Sequence, residues 1–361
     1  MTSEEIAIAR RERTIQLRCR QAGITYDLIP VTEEDFRLRY EEGNKEILVA
    51  EIEKCHGGVL RAKPADIKNV DKSTTILFGN LCGDQVAVKV FEYSPDKNYS
   101  KSELDSYNKK RMWSFLFEAR CMKNLSLSGL SPFVFGTYYS EHSKEYIYVT
   151  ERFPFSVYQL CNKQKAKKCF NIDCVDVGDR ITRILSNIAM MGILFIDLTT
   201  LNFVCEDNYK DMRIIDMESD MCIMLMEDNP FTLWVKSLSD KQMSVFGSDG
   251  IFNILRRAAY ITMIVIARVL FERQTGVNVL HHVIAGGSNE FKGGVNLIIT
   301  SFLNIEDETQ LAIFEQEYED KDGDRIESWK RLCPFILWHY CSRDMDIVKG
   351  YTTKILEECK Q

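Results

Sequence analysis

The run Gly192-Ile-Leu-Phe-Ile-Asp197-Leu-Thr-Thr-Leu-Asn202-Phe-Val, followed by Met212-Arg-Ile-Ile-Asp216, constrains this chain more than any other stretch. An Asp, an Asn five residues on and a second Asp fourteen beyond that are each set against short apolar runs. Apolar runs of that length, bounded by polar turns, read as strands, so the polar side chains fall at strand ends and in loops. Phosphoryl transfer draws on such a kit: a carboxylate at the attacking hydroxyl, and an amide with a carboxylate to hold Mg²⁺ on the phosphates. Asp197 is the candidate catalytic carboxylate, and Asn202 and Asp216 are the candidate metal ligands.

Upstream, Val86-Ala-Val-Lys89-Val-Phe is a β-branched run with one Lys inside it. It follows Thr74-Thr-Ile-Leu-Phe and a Cys82-Gly-Asp-Gln85 turn, so it reads as the second strand of a hairpin. Trp113 to Leu125 has helical spacing, with Phe115, Met122 and Leu125 available for an inner face and Glu118 among them. The polar, Lys- and Ser-rich stretch before it reads as an insertion, and it contains Glu103. Pro132 to Tyr139 and Glu145 to Thr150 read as an antiparallel pair around a polar turn, Ser140 to Lys144.

In this order the segments resemble the protein kinase-like superfamily, whose patterns are V-A-I-K, H-R-D-L-x-x-x-N and D-F-G. Asp197, Leu198 and Asn202 stand in register, while Phe195 and Ile196 replace the His and Arg, and the third motif reads Asp216-Met217-Glu218. The resemblance covers about residues 45 to 275, is strongest between 145 and 220, and is to divergent Ser/Thr kinases of the atypical or large-DNA-virus kind. It implies an α+β, two-lobed fold with an N-terminal helical extension (1–44), a β-rich small lobe (45–150) and a helical large lobe (151–361).

The resemblance also implies roles. Lys89 grips the α- and β-phosphates of ATP and pairs with a helix carboxylate, Glu118 by preference and Glu103 as the weaker candidate. Gly57 and Gly58 are a shortened phosphate-covering loop, because glycine lets backbone N–H groups approach phosphate. Thr150 is the gatekeeper, and Glu151 to Phe153 form the adenine-clasping hinge. Asp197 orients the substrate hydroxyl, Asn202 and Asp216 hold Mg²⁺ or Mn²⁺, and Asp249 braces the catalytic loop.

Departures from the pattern bear on the function class. Thr199 stands where Ser/Thr kinases carry a charge-neutralising Lys, and Glu218 stands for the Gly of D-F-G. Glu218 reads either as a further metal ligand or as a side chain turned to solvent. Ile196 removes the Arg that reads a phosphorylated activation loop, and no A-P-E sequence occurs, which together imply a constitutively assembled site. The expectation is an ATP-dependent kinase acting on protein Ser/Thr hydroxyls. Two alternatives stand beside it: a pseudokinase scaffold that binds nucleotide or a protein partner, and a small-molecule phosphotransferase of related fold.

Composition narrows the field. With 45% hydrophobic residues in 361 there is material for a packed core, and the net charge of −7 argues against a general nucleic-acid binder. The Lys163–Lys168 run reads as a solvated face. Twelve cysteines without C-x-x-C spacing read as reduced, mostly buried thiols. No apolar signal-peptide core opens the chain and no apolar stretch is long enough to span a bilayer, so the expectation is an intracellular protein.

Three decoys fall away. In Asp320-Lys-Asp-Gly-Asp324 the glycine is at the fourth loop position and Arg331 occupies the twelfth, against a calcium loop. Gly286-Gly287 and Gly293-Gly294 lack the Gly-Lys-Ser/Thr of a P-loop. His281 and His282 have no acidic or cysteine companions nearby in sequence.

Overall fold

Alternating β-branched residues from Val86 to Phe91 form the middle of a five-stranded antiparallel sheet. The computed structural model describes residues 60–61, 74–81, 84–93, 95, 98–140, 144–165, 173–206, 209, 211–219, 221–304 and 345–361. The N-terminal extension 1–44, Gly57, Gly58 and the Asp320 loop lie outside the described residues. The result is a mixed α+β architecture in two compact units. One is formed by the chain up to Pro154 with Arg213–Ser219, the other by Phe155–Met212 with Asp220–Gln361.

In the first unit the strands are β1 (Leu60–Arg61), β2 (Thr74–Leu81), β3 (Asp84–Phe91), β4 (Val134–Ser140) and β5 (Glu145–Glu151), in spatial order β1-β2-β3-β5-β4. The expected hairpin and antiparallel pair are both present. Register puts Lys89 of β3 beside Ile76 on one side and Tyr148 of β5 on the other. Helix α1 (Lys101–Leu127) packs on β4 and β5, burying Phe115, Ala119, Met122 and Leu125.

That helix begins twelve residues before the expected start at Trp113. The reason is local. Ser100 and Glu103 form a capping box, in which Ser100 Oγ accepts from Glu103 N–H at 3.4 Å and Glu103 Oε2 accepts from Ser100 N–H at 2.6 Å. Two otherwise orphaned donors are satisfied, so the Lys- and Ser-rich stretch is the first turns of the helix and not an insertion. Further along, Arg111 is buried under the rings of Tyr93 and Tyr146, 5.0 and 4.9 Å from their centroids, and donates to Phe91 O.

In the second unit, β6 (Phe155–Ser156) pairs with β8 (Phe203–Cys205), and β7 (Ile193–Phe195) pairs with β10 (Cys222–Met224). The helices are α2 (Val157–Lys165), α3 (Cys174–Met190), α4 (Pro230–Ser237), α5 (Asp240–Met243), α6 (Ile251–Thr275), α7 (His281–Gly286), α8 (Asn289–Asn304) and α9 (Met345–Lys360). Asp173 caps α3 by accepting from the N–H groups of Val175 and Asp176. The apolar face of α3, with Ile181, Ile184, Leu185 and Ile188, packs against α6. From Ile261 to Phe271 α6 is buried on all sides, as expected of a core axis.

Charge is buried there too. Arg268, 1% exposed, donates to Glu358 of α9 at 3.0 Å and lies 3.0 Å from Glu272. His281 meets Glu358 at 3.1 Å and His282 meets Asp179 at 2.9 Å, so both histidines have carboxylate partners far away in sequence.

Among the described residues no helix is long and apolar enough to cross a membrane. Cys121, Cys161, Cys205, Cys222 and Cys359 are buried cysteines outside any disulfide, and burial pushes the Cys205 thiol up to about 12.

Candidate functional site

Lys89 is the centre of the first unit's polar chemistry. Its position on a central strand beneath α1 leaves the residue only 5% exposed. Nζ donates to both oxygens of Glu118 at 2.8 Å and to Asp216 Oδ1 at 2.5 Å. Tyr148 Oη, on the strand beside Lys89, donates to Glu118 Oε1 at 2.6 Å and so holds that carboxylate a second time. Of the two helix carboxylates considered, Glu118 is the one Lys89 meets, while Glu103 closes the capping box.

Asp216 reaches Lys89 from a bent segment. Ile214, in β9 (Arg213–Ile214), donates its N–H to Leu130 O at 2.8 Å. Asp216 then takes a left-handed backbone with φ +67°, and Glu218 N–H returns to Asp216 O at 2.9 Å. A non-glycine residue in that region carries a cost, and such residues gather where a side chain must be aimed. The turn also aims Glu218, whose Oε1 lies 3.7 Å from Lys89 Nζ. The solvent-facing reading of Glu218 is therefore wrong: the side chain joins the cluster.

One ammonium thus faces three carboxylates, and excess negative charge sets the electrostatics. Burial by itself pulls the lysine down, but Asp216 and Glu118, helped by Tyr148 and Glu218, outweigh it and hold Lys89 well above its ordinary value. Burial, with the charge of Asp216, pushes Glu118 up against the pull of Lys89 and Tyr148. The lysine governs the cluster, since it has three carboxylates to draw on while they share a single ammonium.

The residues expected as gatekeeper and hinge continue β5. Thr150, 6% exposed, donates from Oγ1 to Ala87 O at 3.4 Å. Glu151 N–H donates to Phe133 O at 2.8 Å, and Arg152 N–H to Gln85 O at 3.1 Å. Those two backbone donors are thereby engaged within the unit. The Phe153 ring lies 5.7 Å from the Arg213 guanidinium.

The second unit holds the other group. Strand β7 ends at Phe195, and Ile196, fully buried, donates its N–H to Met221 O at 3.0 Å. Leu198 N–H bonds back to Ile196 O at 2.9 Å, a three-residue turn that sets Asp197 at its apex. Asn202 N–H closes on Thr199 O at 3.1 Å, and Asn202 Nδ2 donates to Asp197 O at 2.9 Å and to Asp197 Oδ2 at 2.8 Å. Both amide donors are therefore directed at Asp197, which leaves Oδ1 as the atom of Asn202 suited to a cation. Asp249 does not take the bracing role expected of it: it is exposed and bonds Arg257 at 2.7 Å.

Neither Tyr148 nor Gln274, which bonds the Asp197–Asn202 loop, stands out in the sequence. Tyr148 had a faint signal, since strand alternation puts it on the face opposite Ile147. Gln274 had none, being 74 positions from the Thr200 that it bonds.

Among the described residues no group of three or more His, Cys, Asp and Glu side chains is arranged to hold a metal ion. A Mg²⁺ carried on phosphate oxygens needs only one or two protein donors and keeps its waters. Asp216, whose side chain is 35% exposed, and Asn202 are donors of that kind. Compared with protein-family models and with curated proteins, the sequence matches none.

Proposed function

We propose that the chain is an ATP-dependent protein kinase that transfers the γ-phosphate to Ser/Thr hydroxyls. On this reading the fold is two-lobed and kinase-like, with the first unit in the role of the small lobe and the second in that of the large one. The observation that carries it is the buried Lys89, gripped by Glu118 from a helix and by Asp216 from a strained turn. A lysine in a strand is ordinarily a solvated edge residue, and burying one among carboxylates needs a reason. Phosphate binding is such a reason.

The chain's own residues divide the work. Glu118, held by Tyr148, keeps Lys89 extended, and the ammonium is the group for phosphate oxygens. Asp216 and the Oδ1 of Asn202 would hold the divalent ion, which when bound neutralises charge on the phosphates. Asp197, at the apex of its turn and oriented by Asn202, would align the acceptor hydroxyl and receive its proton.

A pseudokinase scaffold remains as the second reading, favoured by Thr199 and Glu218. Thr199 supplies no charge to the γ-phosphate, a loss that typically costs about 10²–10³ in rate. Glu218 adds a carboxylate beside Lys89.

Nucleotide binding is the direct test. Thermal stability measured with ATP and Mg²⁺ or Mn²⁺ should rise for the wild type, and much less for Lys89→Met and Asp216→Asn. Insensitivity of the wild type to ATP with either metal would defeat the kinase reading and leave only a scaffold that binds a protein partner.

A further inference from the structure

We infer that Gln274 is a positioning residue that holds the Asp197–Asn202 loop by clamping Thr200. This rests on the transferase reading above, in which Asp197 works on the acceptor hydroxyl. Gln274 Oε1 accepts two hydrogen bonds, from Thr200 N–H at 2.8 Å and from Thr200 Oγ1 at 2.8 Å. The carbonyl of Thr200 accepts from Tyr158 N–H at 3.1 Å. Thr200 is fully buried, so its N–H, hydroxyl and carbonyl are each matched by a protein partner.

The clamp is itself rigid. Gln274 lies in the last turn of α6, which Gly276 ends in a left-handed conformation with its N–H on Glu272 O at 2.7 Å. The neighbouring Thr275 bonds Phe271 O at 2.7 Å and accepts from Val277 N–H at 3.0 Å, which locks that turn. On the other side, Tyr158 lies in the first turn of α2, which is held by a reciprocal Ser156–Gln159 pair at 2.9 and 3.2 Å. Thr200 is thus fastened to two helix ends. Asp197 stands three residues before it and Asn202 two after, tied to each other.

The chemistry of the contact is specific. One oxygen serves two donors, so what Thr200 requires is an acceptor at that position and not an amide. An acceptor-free side chain of the same length would leave two buried donors unmatched and let the loop shift. A displacement near 1 Å of a reacting group can cost about 10²-fold. Because Thr200 carries neither the proposed phosphate nor the metal donors, the loss belongs in turnover and not in nucleotide affinity.

The experiment measures kcat and nucleotide KM for transfer from ATP with Mg²⁺ or Mn²⁺ to dephosphorylated casein and to the chain itself. Gln274→Met should lower kcat about 10- to 100-fold with KM for ATP within about threefold. Gln274→Glu keeps the acceptor and should restore most of the rate. Thr200→Val, which removes only the hydroxyl, should give a smaller loss, and the double variant Gln274→Met/Thr200→Val should cost less than the product of the singles. If Gln274→Met fails to fold, Thr200→Val decides the matter, since a kcat equal to wild type there would overturn the clamp. A fall in kcat for Gln274→Glu as large as for Gln274→Met, or strictly multiplicative effects, would overturn the clamp, as would an active wild type matched by Gln274→Met. A wild type that binds ATP and never transfers overturns the transferase reading first, and this role with it.

Discussion

At the scale of single residues, the departure that matters most is Glu218. Its carboxylate stands 3.7 Å from the Lys89 ammonium, which already serves Glu118 and Asp216. On the proposed function, phosphate would approach that ammonium against the excess negative charge, and a divalent ion would relieve the conflict. Glu218→Gln should therefore strengthen binding of ATP in EDTA, on the order of tenfold for one partly screened charge. The effect should shrink once Mg²⁺ is added. Competition of unlabelled ATP against a fluorescent ATP analogue, with and without metal, reads it directly, and equal metal-free affinity in both proteins would mean that Glu218 does not act on phosphate. Asp197, Asn202, Lys89 and Asp216 are legible from their order and from the resemblance of their segments to kinase motifs, each lying in or beside a short apolar run. The direction of Glu218 is not, since it follows from the φ of Asp216, which the order of residues does not display.

At the scale of elements, packing sets conditions that propensity does not. Gly178 lies inside α3, where alanine is ordinarily the better residue by about 1 kcal/mol. Here a Cβ would sit 2.1 Å from Val279 O and 2.5 Å from His282 Cε1, so backbone would have to move. Gly178→Ala should destabilise by about 1–3 kcal/mol or more, the usual cost of overpacking. Gly350→Ala in α9, where a Cβ meets nothing within 4 Å, should be neutral or stabilising. Denaturant midpoints of the two variants check this pair, and a Gly178→Ala midpoint at or above wild type would contradict the close approach to Val279. Strand alternation made β3 and β5 legible beforehand. The start of α1 was missed because its evidence is a capping box, Ser100 with Glu103, and not a hydrophobic stripe.

Across the whole molecule, contacts put the main division at Pro154–Phe155. They also return Arg213–Ser219 to the first unit, a feature no local pattern announces. Two long-range contacts account for it: Ile214 N–H on Leu130 O, and the carboxylate of Asp216 on Lys89, 127 positions away. The first unit thereby gathers the lysine and its carboxylates, while Asp197 and Asn202 stay in the second. On the proposed function, the phosphate-gripping role would fall to the first unit and the hydroxyl-orienting role to the second. The decisive measurement is transfer of labelled γ-phosphate from ATP to casein or to the chain itself, comparing wild type with Asp197→Asn. Asp197→Asn keeps the shape and removes the charge that draws the proton. Wild-type transfer that falls at least about 10²-fold in the variant, with ATP binding largely kept, is the expected result. Equal transfer by the two proteins, or ATP binding without transfer by the wild type, would contradict it.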